Sequence, residues 1–81
     1  MLVNLKEICA IAEKGNFCIG AFNAPNLATI QAIIEAAEEE KCPVILSHGE
    51  RDEAIISIEV IGPIMLQFAK KANVPVCVHL D

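Results

Sequence analysis

Three short apolar segments, "FCIGAFNA" (residues 17–24), "PVILSH" (43–48) and "PVCVHL" (75–80), are separated by stretches long enough to form a helix. That alternation limits the available folds more than any other feature of the chain. Short apolar runs bounded by Gly, Asn or Pro read as strands buried on both faces. Strands separated by helix-length segments pair in parallel, because a parallel connection must cross over where a hairpin cannot. The sequence therefore predicts an α/β domain with right-handed crossovers.

The intervening segments carry helix signals. Asn4 precedes "LKEICAIAEKG" with Glu7 three residues on, the pattern of a capping box, and Leu5, Ile8 and Ala12 share one face. Gly15 offers the stop. Asn26 can cap "LATIQAIIEAAEEEKC", whose apolar stripe is Leu27, Ile30, Ile34 and Ala37, while the acidic run Glu38–Glu40 lies on a solvated side. "GERDEA" reads as a polar loop. The next segment begins with β-branched residues but continues Ile61, Ile64, Met65, Phe68, Ala69 and Ala72 at helical spacing, with Lys70 and Lys71 in the last turn. A helix over residues 57–72 is expected, with Pro63 either kinking it or opening its regular part.

With 81 residues, one small domain or a piece of a larger one is expected. A parallel sheet of three strands is normally covered on both faces and extended by further strands. The last strand has no following helix in this sequence, so residues 1–81 read as a single partial domain.

Composition removes several function classes. The formal net charge is -5, and the six basic residues are scattered apart from Lys70–Lys71. Nucleic-acid binding needs concentrated Lys and Arg, so no nucleic-acid partner is expected. No apolar run approaches the roughly 18 residues of a membrane span, and the N-terminus does not resemble a secretory signal. No membrane partner is expected. Cys9, Cys18, Cys42 and Cys77 form no C-x-x-C pair. They read as four buried free thiols in a reducing cytoplasm rather than a metal site.

The strand exits carry the chemistry. The first strand ends in Asn23, the second in Ser47-His48, and the third leads to His79 and Asp81. All exits of a parallel sheet lie on one side, where ligands bind in barrels and doubly wound sheets alike. Alternation puts His79 and Asp81 on one side of the third strand and Leu80 on the other. Ordinary explanations remain open for each residue: a rim histidine, a carboxylate capping a following helix, and a turn at His48-Gly49. Ser47 has no visible partner that would make it a nucleophile.

"IGAFNAPNLATIQAIIEAAEE", "CPVILSH" and "IGPIMLQFAKKANVPVCVHLD" together resemble the N-terminal portion of the class II, zinc-dependent fructose-bisphosphate and tagatose-bisphosphate aldolases. The resemblance covers nearly the whole chain and rests on "GAFN" and apolar-x-H-x-D at this separation. It implies an incomplete (β/α)8 TIM barrel with a leading helix, three parallel strands and two helices. It implies reversible cleavage of a phosphorylated ketose to dihydroxyacetone phosphate and an aldehyde, with Asp81 as general acid/base. A Lewis acid stabilises the enediolate in such a reaction, while a carboxylate reaches the other fragment's oxygen. The family's zinc histidines begin just after the position of Asp81, so no specific zinc binding is expected of these residues alone. Asn23 matches an asparagine near substrate.

One departure stands out. Where many members place a substrate-contacting serine, this chain has Gly49 within "SHGERD". Ser47 does not inherit that role, and His48 is the candidate substrate-binding residue instead. A homo-oligomer in the cytoplasm is expected, because an open sheet edge invites association. A non-catalytic assembly subunit of the same architecture stays open as the alternative. A flavodoxin-like module is disfavoured, since "NAPN" stands where a Gly-rich phosphate loop would follow the first strand.

Overall fold

The computed structural model describes residues 1–80, and Asp81 lies outside the described residues. Helix α1 (Leu5–Gly15) starts at the expected cap. Asn4 Oδ1 accepts from the Glu7 N–H at 2.7 Å, and Glu7 Oε1 accepts from the Asn4 N–H at 3.0 Å. These bonds satisfy donors that an isolated helix start leaves unpaired. The helix stops one residue beyond Gly15, at Asn16, which adopts the left-handed conformation that Asn tolerates.

Strand β1 (Ala21–Asn23) is shorter than expected, and all three of its residues are exposed. The expectation of a fully buried first strand is thereby corrected. Among the described residues β1 pairs with β2 alone, and nothing covers its other edge. Helix α2 (Leu27–Glu40) opens with Asn26 Oδ1 accepting from the Thr29 N–H at 2.8 Å. Strand β2 (Val44–His48) follows. The expected polar loop is instead a short 3-10 helix, Glu50–Ala54. Helix α3 (Ile58–Lys71) then runs through Pro63 without breaking, and strand β3 (Val76–Leu80) completes a parallel sheet in the order β1-β2-β3.

Each face of the sheet has its own cover. Val44, Leu46 and Val76 bury one face against Ile30, Ile34 and Ala37 of α2 and Ile61, Met65 and Ala69 of α3. On the opposite face, Ile45 and Cys77 meet Val3 and Ile8, so α1 lies beneath the strand beginnings. The N-terminal segment is fixed there by the Val3 N–H donating to the Val76 carbonyl and the Val76 N–H to the Met1 carbonyl. Alternation therefore assigns each strand residue either to the helical layer or to the face that α1 closes only at its base.

The cysteines differ from expectation. Cys77 alone is buried, whereas Cys9, Cys18 and Cys42 are exposed. Cys9 lies in α1, whose one buried residue is the neighbouring Ile8, and Cys18 and Cys42 flank elements rather than filling them.

Candidate active site at the strand exits

Strand register decides which polar residues meet. Asn23 pairs with Ser47, and Ser47 pairs with His79. Paired residues in a parallel sheet point the same way, so these three form one row across the sheet. The row shares the face of Ile45 and Cys77, beyond the part covered by α1. Asn23 is exposed, His79 half-buried and Ser47 buried. The Ala24 N–H donates to the Ser47 carbonyl at 3.1 Å and holds the first two strand tips together.

His48 is set apart from this row. It pairs with Leu80 and belongs to the alternation of Val44 and Leu46, facing the helical layer. Its side chain is 0% exposed, with Nε2 2.9 Å from Glu53 Oε1 and Nδ1 without a partner. Glu53 Oε1 also accepts from the Ile58 N–H at 2.7 Å. The histidine thus joins the end of β2 to the start of α3. The strand residue that reaches the row from β2 is Ser47, which sequence reasoning set aside. Its signal was the period-2 alternation, but the all-apolar run before it hides which phase faces the helices.

The connection after β2 is a built wall. Asp52 Oδ2 accepts from the Gly49 N–H at 3.0 Å, and the Asp52 N–H donates to the Gly49 carbonyl at 3.0 Å. These reciprocal bonds hold Gly49, Glu50 and Arg51 against Asn23, lining a cleft of about 310 Å³. A cleft of that size reaches the lower end of the range for small-molecule sites. Gly49, placed where a serine would stand in many members of the resembled family, contributes backbone to this cleft.

Metal chemistry does not fit these residues. Among the described residues no group of three or more His, Cys, Asp or Glu could hold a metal ion. His48 and His79 lie on opposite faces of the sheet, and the Nε2 of His48 is taken by Glu53. Asp81, the acid/base candidate, lies outside the described residues. No helix among the described residues is long and apolar enough to cross a membrane.

Comparison with known proteins agrees with this architecture. The chain is 42% identical over 81 residues to a fructose-bisphosphate aldolase of Thermus caldophilus, covering all of this chain and 26% of that protein. It is 39% identical to a sulfofructosephosphate aldolase of Alkalicoccus urumqiensis, covering 94% of this chain and 26% of that one. With the 6-phospho-5-dehydro-2-deoxy-D-gluconate aldolase of Halalkalibacterium halodurans the identity is 35%, over 99% of this chain and 29% of the other. The crystal structure of the YdjI aldolase from Escherichia coli K12 superposes with a TM-score of 0.92 at 36% identity, covering 100% of this chain and 32% of that one. The chain thus spans between about a quarter and a third of the length of these relatives. Its leading helix, three parallel strands and two crossover helices form part of a TIM barrel. The profile described as "Fructose-bisphosphate aldolase class-II" matches residues 3–81, and the chain belongs to that family.

Proposed function

We propose that this chain supplies the opening segment of a class II ketose-bisphosphate aldolase. The reaction is reversible cleavage of a phosphorylated ketose to dihydroxyacetone phosphate and an aldehyde. The observation that carries the reading is the in-register row Asn23–Ser47–His79 at the open ends of the strands, in a chain of this family. Asp81 stands two residues after His79 in the sequence.

In cleavage the bond between C3 and C4 breaks, and its electron pair moves toward the C2 carbonyl. Asp81 takes the proton from the C4 hydroxyl in this direction and returns it to the aldehyde oxygen in condensation. Asn23 contacts substrate from the tip of β1. His48 acts at one remove, by holding Glu53 and the wall of the cleft. The family is zinc-dependent in general, but the described residues form no metal-holding cluster, so no step is routed through zinc. The relatives' names each specify a phosphorylated sugar with a second acidic group: another phosphate, a sulfo group or a gluconate. A doubly anionic phosphorylated ketose is the corresponding substrate class here.

The test is the gene product containing these residues, assayed for cleavage of fructose 1,6-bisphosphate and tagatose 1,6-bisphosphate. Asp81→Asn should lower kcat by about 100-fold or more, the usual scale of general acid–base assistance. Wild-type rates in that variant would overturn the assignment. The 81 residues assayed alone should show no zinc-dependent turnover. The alternative, a non-catalytic assembly subunit, is favoured by the exposed β1 edge. That reading requires the gene product to be inactive on both sugars while still binding an aldolase partner.

A further inference from the structure

Arg51 is the one cation lining the cleft beside Asn23, and it makes no ion pair among the described residues. Its acidic neighbours are already engaged. Asp52 accepts from the Gly49 N–H, and Glu53 accepts from His48 Nε2 and the Ile58 N–H. Both keep their charge, but these bonds direct them at other partners and hold the backbone from which the guanidinium projects. Glu50 also lines the cleft, and with Asp52 and Glu53 beside Arg51 the wall is net negative. Long-range attraction of an anion is therefore absent at this wall, and recognition must come from direct contact. A guanidinium suits that task, because its planar fork donates two parallel hydrogen bonds to one oxyanion group.

We propose that Arg51 is a specificity-determining residue that reads the second anionic group of the substrate, the one carried away on the aldehyde product. The inference rests on the aldolase reading and deepens it. Asn23 orients the sugar chain at the end of β1, and Arg51 receives the terminal phosphate across the cleft from it. Glu50 works against any charged group that is not aligned on the guanidinium. Sugars that end in a neutral hydroxyl leave Arg51 with water and gain nothing from it.

Binding and turnover test this separately. Glycerol 3-phosphate and glycerol serve as probes, titrated into the chain while the amide signals of Asn23, Gly49, Glu50 and Arg51 are followed by NMR. The phosphate should move these signals and glycerol should not. Arg51→Ala should weaken phosphate binding about 10- to 100-fold, the value of a charge-assisted contact. Arg51→Lys should recover only part of it, because an ammonium lacks the fork. Unchanged affinity in Arg51→Ala, equal shifts with glycerol, or no response to the phosphate would each overturn the proposal. In the gene product, Arg51→Ala should raise KM for fructose 1,6-bisphosphate by a similar factor, with a smaller effect on kcat, and so narrow the preference for this sugar over fructose 1-phosphate. Equal losses on both sugars would also overturn it. Phosphate binding that depends on Arg51, in a gene product that cleaves neither sugar, would leave the assignment of Arg51 standing and remove the aldolase reading.

Discussion

At the scale of single residues, burial separates side chains that hold the fold from those that meet the solvent. His48 is enclosed, bonded through Nε2 to Glu53, and leaves Nδ1 unpaired. Replacing it by Ala opens a cavity and frees Glu53 from one of its two partners. The cost should be about 2–4 kcal/mol, read as a lower urea midpoint. An unchanged midpoint would mean that His48 is not the link between β2 and α3. Cys77 offers a second residue-scale test. Burial, and then the nearby Cys9 thiol, pushes its pKa above the ordinary 9.0. The folded protein keeps this proton at a pH where the unfolded chain releases it, so the folded state binds more protons there. Stability is accordingly unaffected below about pH 9 and falls as pH rises from there through the folded pKa. At neutral pH, iodoacetamide should label Cys9, Cys18 and Cys42 well before Cys77, as mass spectrometry of the peptides would reveal. Equal labelling of all four would contradict the buried position.

At the scale of elements, helix ends show how far local chemistry dictates structure. Asn4 and Asn26 were legible as caps because side-chain capping needs only neighbours two or three residues away. The end of α2 was less legible. Lys41 terminates it with φ 55, a left-handed conformation that costs a side-chain-bearing residue roughly 1–2 kcal/mol. Lys41→Gly should relieve that strain, and the gain should exceed the loss from a more flexible unfolded chain, leaving about 0.5–1 kcal/mol. A thermal midpoint that does not rise would place the strain elsewhere. Other features depended on partners distant in the chain. Period-2 alternation was visible in β3, where polar His79 marks a face, but not in β2, where "VILSH" offers no polar residue until its end. So Ser47, and not His48, joins Asn23 and His79, and register alone settles it. The 3-10 helix was also hidden, because its order comes from Asp52 and Glu53 binding Gly49, His48 and Ile58 rather than from any periodicity.

At the scale of the whole molecule, the pattern of apolar segments specified a parallel α/β sheet, while exposure along its edges shows what those segments lack. A parallel strand is normally buried on both faces, yet Phe22 in β1 is 51% exposed and Leu80 in β3 is 65% exposed. Beside Phe22 lies an apolar cleft of about 420 Å³ between β1 and α2, lined by Ile33, Ala36 and Val44 among others. An uncovered strand edge next to such a surface presents both free backbone groups and apolar area to another chain. The net charge of -5 opposes association, but charge repulsion at ordinary ionic strength is screened over about 10 Å and does not protect a contact surface. The 81 residues on their own should therefore associate as concentration rises, with sedimentation giving masses above 8.7 kDa near 100 µM, a concentration at which apolar edges ordinarily meet. Phe22→Lys places a charge on the edge without removing any residue of the buried cluster around Leu46, so it should shift the distribution toward single chains while the far-ultraviolet circular dichroism stays the same. If wild type sediments as single chains at that concentration, the exposed edges are satisfied by water. If the Lys variant associates as strongly as wild type, the contact lies elsewhere, and the edge of β3 at Leu80 and the outer side of α3 at Val60 become the surfaces to change next.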